Sequence, residues 1–450
     1  MFPKTCKSTF LLLAISLSSH AQPDKVLSFT LEEAVQFALQ NNTQAKNSEL
    51  DARINKKRTL EIITTGLPQL DFDVKYQHDV NQRVNVVAAG SFTNDPFPFP
   101  PADTAITLGL PHNAYADFTL TQLIVDGRYF IGLKASRTIN AISKEQIKLT
   151  DTEVRANVSK AYYAMLVAHE GQAIVRKNLG TLKKLHYETS ELYNAGFAEE
   201  LDADRLQLQL SNMEAMEKKT ALQLELAKNL LKYHMGIDYT IDITLTENLE
   251  TILATNAVNA DAAFNYEMRT EYSLLGLQYN MRGFDAQRIR AAYLPSIFGF
   301  AGYGWNAQRQ EFNIFDFDQQ WFNTSYWGVE IKVPIFDSYR NGSIYQQKKL
   351  DQQKIMNQLN DFKQSSHLQV SQTRTAYKTA MDDYRQQQKN IELAEKIYNK
   401  VKIMYQEGIG SSLELANAEA SLSQTQANFI NAMYELLVKK VELERALGNY

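Results

Sequence analysis

Between residues 70 and 86 apolar and polar side chains alternate. Leu70, Phe72, Val74, Tyr76, Val80, Val84 and Val86 fall on one face, and Asp71, Asp73, Lys75, Gln77, Asp79, Asn81, Arg83 and Asn85 on the other. A period of two marks a strand. About 16 residues exceed both the roughly 5 to 6 of an ordinary strand and the 9 to 11 or so that cross a bilayer. Three shorter stretches behave similarly: Ala116, Phe118 and Leu120 alternate with Asp117, Thr119 and Thr121; Trp327, Val329, Ile331 and Val333 alternate with Gly328, Glu330 and Lys332; Ile297 to Trp305 is rich in glycine and aromatics, without two separable faces. Tyr303, Trp305, Trp321, Tyr326 and Trp327 lie near predicted strand ends, where an aromatic girdle would meet a membrane interface. A soluble antiparallel sheet is the other reading of these strands. If they span a membrane, four cannot close around water, since small barrels begin at about eight. Open edges are not tolerated in lipid, so the chain must then oligomerise, and three copies would give 12 strands.

The rest of the pattern is helical and long. None of the ten prolines falls between His112 and Leu294 or between Ile335 and Tyr450. Residues 128–194 and 340–406 each read as one helix, followed by return helices ending near residues 235 and 447. At 1.5 Å per residue each long helix measures roughly 100 Å, deeper than a single globular core. The return helices carry heptad seams, Leu415, Ala418, Leu422, Thr425, Phe429, Ala432 and Leu436 in one; Ala203, Leu206, Leu210, Met213, Glu217, Thr220, Leu224, Ala227 and Leu231 in the other. Their mixture of small, polar and apolar residues fits helices packed side by side in a wall wet on one side, and fits an ordinary antiparallel bundle too.

The strand-and-hairpin unit occurs twice. Ile124-Val125-Asp126-Gly127 and Ile335-Phe336-Asp337-Ser338 are offset by 211 residues; Tyr193-Asn194-Ala195-Gly196 and Tyr405-Gln406-Glu407-Gly408 by 212, as are Leu201-Asp202 and Leu413-Glu414, and Met235-Gly236 and Leu447-Gly448. Leu67-Pro68 matches Leu294-Pro295 at 227, so the difference falls in the strand hairpins. The expected division is a signal peptide at 1–21 and a first repeat at 22–237, with helices at about 31–64, strands at about 68–87 and 113–126 and a helical hairpin at 128–235. A linker with a short strand follows at 238–259. The second repeat, 260–450, has a helix at about 260–292, strands at about 295–306 and 323–336 and a hairpin at 340–447. The Pro-rich loop 88–112 and the loop 307–322 would join strands on the outer side.

The ends and composition narrow the chemistry. Lys4 and Lys7, an apolar run from Phe10 to Leu17 and Ser19-His20-Ala21 read as a secretory signal. The single cysteine, Cys6, precedes that run, so the mature chain would hold neither disulfide nor thiolate. Net charge is −4, and −6 without the two lysines of residues 1–21, which speaks against a nucleic-acid partner. The seven histidines are scattered without a metal-binding spacing, and no nucleophile elbow or phosphate loop occurs. No enzyme activity, cofactor or metal is expected.

Thr30-Leu31-Glu32-Glu33-Ala34, Leu67-Pro68, Leu294-Pro295, Val333-Pro334-Ile335-Phe336-Asp337 and the hairpin tips Ala195-Gly196-Phe197 and Glu407-Gly408-Ile409 resemble, in that order, the TolC family of outer-membrane efflux channels. The resemblance covers nearly all of the mature chain. It implies a mixed fold, a homotrimer whose 12-stranded β-barrel in outer-membrane lipid continues into a periplasmic α-helical barrel. The function implied is a passive exit duct for a tripartite efflux or type I secretion system, docked on a periplasmic adaptor and an inner-membrane pump. Gly196, Phe197, Gly408 and Ile409 would be the docking tips. Glu414 and Asn417 stand where the family has two pore-constricting aspartates; Ser411-x-x-Glu414 reads equally as a helix cap. Tyr405 and Asp202 occupy two positions of the family's gate link, whose arginine position holds Gly410, so restoring an arginine there is expected to tighten the gate. An envelope-tethered coiled-coil scaffold or adhesin is the alternative function, disfavoured by membrane-length strands.

Overall fold

A computed structural model describes residues 26–88, 103–107, 109–249, 251–252, 258–316 and 318–449. The expected signal peptide and much of the loop at 88–112 lie outside the described residues.

Helices dominate. The long pair are α3 (Gly127–Asn194) and α6 (Arg340–Gln406), returning as α4 (Glu200–Met235) and α7 (Ser412–Leu447). α3 packs on α2 (Thr43–Thr64) as well as on α4, and α6 on α5 (Thr270–Ala291) as well as on α7. Asn55 bonds Ser143 near the α2 end of α3, whereas Arg176 and Lys183 pair with Glu217 and Glu214 on α4. Each long helix is thus flanked by two shorter ones placed end to end, which is how about 100 Å of helix finds a partner along its length.

The helices expected at about 31–64 divide at Asn42. α1 (Leu31–Asn41) starts with a capping box between Thr30 and Glu33, and the Asn42 side chain accepts from the backbone of Gln44 and Ala45 to start α2. A side chain that satisfies the next helix's first amides favours a restart over continuation. The helix expected from 260 begins instead at Thr270, after a 3-10 turn at Tyr266–Met268.

One antiparallel sheet runs β2 (Gln69–His78), β5 (His112–Val125), β7 (Ser296–Arg309), β8 (Phe322–Lys332). The two repeats join through β5 and β7, and β2 and β8 are left as open edges. The 16-residue strand expected from Leu70 is corrected. The ladder ends at His78, and among the described residues β3 (Val84–Val87) pairs with β4 (Thr104–Thr107) in a separate two-stranded antiparallel sheet. β8 stops at Lys332 instead of reaching 336, ahead of Pro334, which has no amide hydrogen to give a ladder. Gly302 of β7 lies against the Tyr326 ring of β8 and Gly328 of β8 against the Phe300 ring of β7, so each glycine makes room for an aromatic of the neighbouring strand.

A second small sheet pairs β1 (Leu27–Phe29) in parallel with β6 (Ile243–Leu245), tying the start of the described chain to the segment between the repeats. β1 was not foreseen, because three residues carry too little periodicity to read. Beneath it Tyr162, fully buried on α3, donates to Glu247 at 2.9 Å, and Glu247 accepts from the Leu31 amide at 2.7 Å. Burial is spread over three clusters along the helices instead of one core: around Tyr162, Leu231 and Leu437; around Leu182, Leu206 and Leu415; and around Tyr377, Leu436 and Leu443.

Candidate functional site: the hairpin tips and the two sheet faces

Both long helices end identically. Gly196 (φ +80°) and Gly408 (φ +75°) take the left-handed conformation, and their amides reach Tyr193 O and Tyr405 O. The amides of Phe197 and Ile409 reach back to Leu192 O and Met404 O at 2.8 and 3.0 Å. This double closure is a Schellman turn, in which glycine avoids the Cβ clash of positive φ. It leaves Phe197 82% and Ile409 74% exposed, apolar side chains held out at the extreme end of the helices. A groove of about 720 Å³ opens between the tips, lined among others by Leu192, Phe197, Asp202, Tyr405 and Gly410.

The expected Tyr405 to Asp202 bond is not the contact found. The Tyr405 hydroxyl shares a 3.2 Å hydrogen bond with Thr189 Oγ1 on α3. Asp202 acts on Tyr405 by charge alone: burial raises the phenol's pKa most, Asp202 adds to it and the Thr189 bond opposes it. Asp202 itself stands 4.0 Å from Arg205, and Arg205 Nη1 donates to Ser412 Oγ at 2.9 Å. At the tips these two bonds, Tyr405 with Thr189 and Arg205 with Ser412, tie the first hairpin to the second, and neither partner set was read from the sequence. The vacant arginine position has a steric reason. A Cβ on Gly410 would stand 2.9 Å from Tyr405 N and 3.1 Å from Met404 C, so the turn has no space for a side chain.

Glu414 and Asn417 are exposed on one side of the first turns of α7. Glu414 closes a capping box, accepting the Ser411 amide at 3.3 Å while Ser411 Oγ accepts the Glu414 amide at 3.2 Å. This geometry engages Glu414 as a cap while leaving it at the surface.

On the sheet, register sorts the side chains. Leu70, Phe72 and Val74 lie opposite Leu120, Phe118 and Ala116, which lie opposite Ala301, Tyr303 and Trp305. This face stays open, with Leu70, Phe72, Val74, Trp327 and Ile331 all more than half exposed. The other face carries Asp71, Asp73, Lys75, Gln77, Asp117 and Thr119, with Asp73 directly opposite Asp117. Like charges directly opposite are destabilising, a cost that water and counter-ions beside them reduce. A sheet with one dry-natured face and one wet face, continuing into long helices, is the arrangement to be explained.

Residues 282–449 match the family described as OEP, outer membrane efflux protein. Through this region the chain is similar to that family. Its relatives include the probable outer membrane lipoprotein SilC of Salmonella typhimurium, 22% identical over 327 residues that span 70% of this chain and 68% of SilC. They also include the cation efflux system protein CusC of Escherichia coli K12, 21% identical over 301 residues, or 65% of this chain and 63% of CusC. The fold superposes on the open state of the MtrE outer membrane channel of Neisseria gonorrhoeae with a TM-score of 0.70 at 17% identity, over 93% of this chain and 88% of that one. The likeness to efflux channels read from the sequence therefore stands, and with it the outer-membrane location. The mixed architecture is that of these channels, and the likeness is to efflux and outer-membrane channel proteins.

Proposed function

We propose that this efflux-family chain is the outer-membrane exit duct of a tripartite efflux or type I secretion system, through which an inner-membrane pump exports small molecules or proteins passively. The observation that carries the reading is the four-stranded sheet with two open edges, an apolar exposed face and an acidic polar face. Three copies joined edge to edge would form a 12-stranded barrel with no unpaired edge in lipid. The apolar face would then meet lipid, and Asp71, Asp73 and Asp117 would line a water-filled lumen favouring positively charged cargo. The helices would continue it as a periplasmic tunnel. Phe197 and Ile409, displayed by Gly196 and Gly408, suit docking of a periplasmic adaptor, and Glu414 and Asn417 suit the narrow end of the pore.

Single-channel recording of the purified protein in a planar bilayer, with its mass in detergent, tests this. Discrete cation-selective openings from a particle of three chains are expected. A monomer, or a trimer that never conducts, would leave the scaffold or adhesin reading.

A further inference from the structure

The outer end of the sheet, remote from the helices, carries a feature that conduction does not need. His78 and His112 are the last directly opposed pair of the β2–β5 ladder, on the same face as Tyr76. Their imidazoles stack at 4.4 Å between centroids, inclined by 22°. Tyr76 Oη and His112 Nδ1 are 2.7 Å apart, and Phe312 packs edge-on against both Tyr76 and His112, at 5.5 and 5.9 Å. His78 is exposed and His112 half-buried, and the pair sits at the outer rim of the apolar face, backed by aromatics.

We propose that His78 and His112 form a two-histidine site for a borderline divalent transition-metal ion of the Cu²⁺, Ni²⁺ or Zn²⁺ type. Imidazole nitrogen selects such ions over Mg²⁺ and Ca²⁺, which prefer oxygen. An ion bound at about 2.0 to 2.1 Å by each ring in tetrahedral geometry needs the two nitrogens roughly 3.3 Å apart. Rings 4.4 Å apart on directly opposed strands reach that separation by turning about χ2, a soft torsion in histidine. Tyr76 fits the supporting role. With Nδ1–H of His112 donating to its oxygen, the free lone pair of His112 is on Nε2, the fixed-tautomer arrangement of metal-binding histidines. No third His, Cys, Asp or Glu among the described residues joins the pair, so water would complete the coordination. The ion would clip β2 to β5 where their ladder gives way to the β3–β4 pair.

The test uses the untagged, membrane-extracted full protein in detergent and Cu²⁺ as probe. Titration should give one ion per chain, with an electron paramagnetic resonance spectrum showing coupling to two imidazole nitrogens. His78→Asn and His112→Asn should each abolish that site without changing the oligomer's mass. Tyr76→Phe should keep the two-nitrogen spectrum and weaken binding about 10- to 100-fold. Ca²⁺ at equal concentration should not compete. Copper held as well by both histidine variants as by the parent would place it on His169, His186, His234 or His367 and overturn the proposal. So would the lack of a saturable site. Neither result touches the exit-duct reading, which stands or fails on conductance.

Discussion

Glu419 sits in surroundings that suit a carboxylate poorly. It is 6% exposed on α7, and its Oε1 has no hydrogen-bond partner; the same holds for Oε1 of Gln209 on α4, and both line a cavity of about 160 Å³. Burial pushes the Glu419 carboxyl's pKa up, more strongly than the Tyr398 hydrogen bond and the Lys402 charge draw it down. A carboxyl whose folded pKa lies above its unfolded value of about 4.5 holds its proton better when folded. Its contribution to stability is then complete below that value and is lost as pH rises through the folded pKa. Glu419→Gln, which removes the charge at nearly constant shape, should therefore stabilise the helical region at pH 7 by about 1 to 3 kcal/mol, the size of an unsatisfied buried polar group. The advantage should vanish below pH 4.5. Denaturant unfolding followed by circular dichroism at the two pH values decides it, and parallel curves at both would mean that the carboxylate is solvated in the assembled protein. Nothing in the sequence singles out Glu419. The seam beside it was legible, since Leu415, Ala418 and Leu422 are all buried as the heptad requires, but a glutamate one position from a seam looks like any solvated one.

At the scale of elements, legibility followed length and punctuation. The long helices were readable because nearly seventy residues without proline leave little alternative, and α3 and α6 start and stop within a residue of the expected positions. The tip glycines were readable because the turn demands positive φ. What failed were pairings between elements: the family resemblance places Tyr405 and Asp202 near each other, but which acceptor a hydroxyl finds depends on side-chain geometry. The tip links can be tested as elements. Tyr405→Phe removes the bond to Thr189 and Arg205→Ala the bond to Ser412, each contributing about 0.5 to 1.5 kcal/mol, more where the guanidinium charge assists. Each variant should raise basal conductance, the double variant further. The sequence expectation for Gly410→Arg is reversed: with a Cβ 2.9 Å from Tyr405 N the turn must distort, so this variant should loosen the tip. Unchanged conductance in all four proteins would put the closing contacts elsewhere, with neighbouring protomers first in line.

For the whole molecule, the decisive matter is which face of the sheet meets lipid, and two arginines on opposite faces ask it directly. Val74 is 71% exposed on the apolar face, and Thr119 lies on the polar face opposite Asp71, on the strand that also carries Asp117. In a soluble scaffold an arginine at an exposed valine costs little, since surface substitutions usually fall within about 0.5 kcal/mol. On a lipid-facing strand it costs about 2 to 4 kcal/mol near the bilayer midplane. Three copies of the chain would incur that cost together at assembly. Val74→Arg is therefore expected to cut sharply the yield of folded oligomer recovered from outer membranes, while Thr119→Arg assembles normally, its charge offset by the neighbouring aspartates. The second variant should instead reduce cation selectivity, because it would place three positive charges among the lumen acids. Equal recovery of both variants would mean that the apolar face does not contact lipid, and the barrel would have to be abandoned even with the likeness to efflux channels intact.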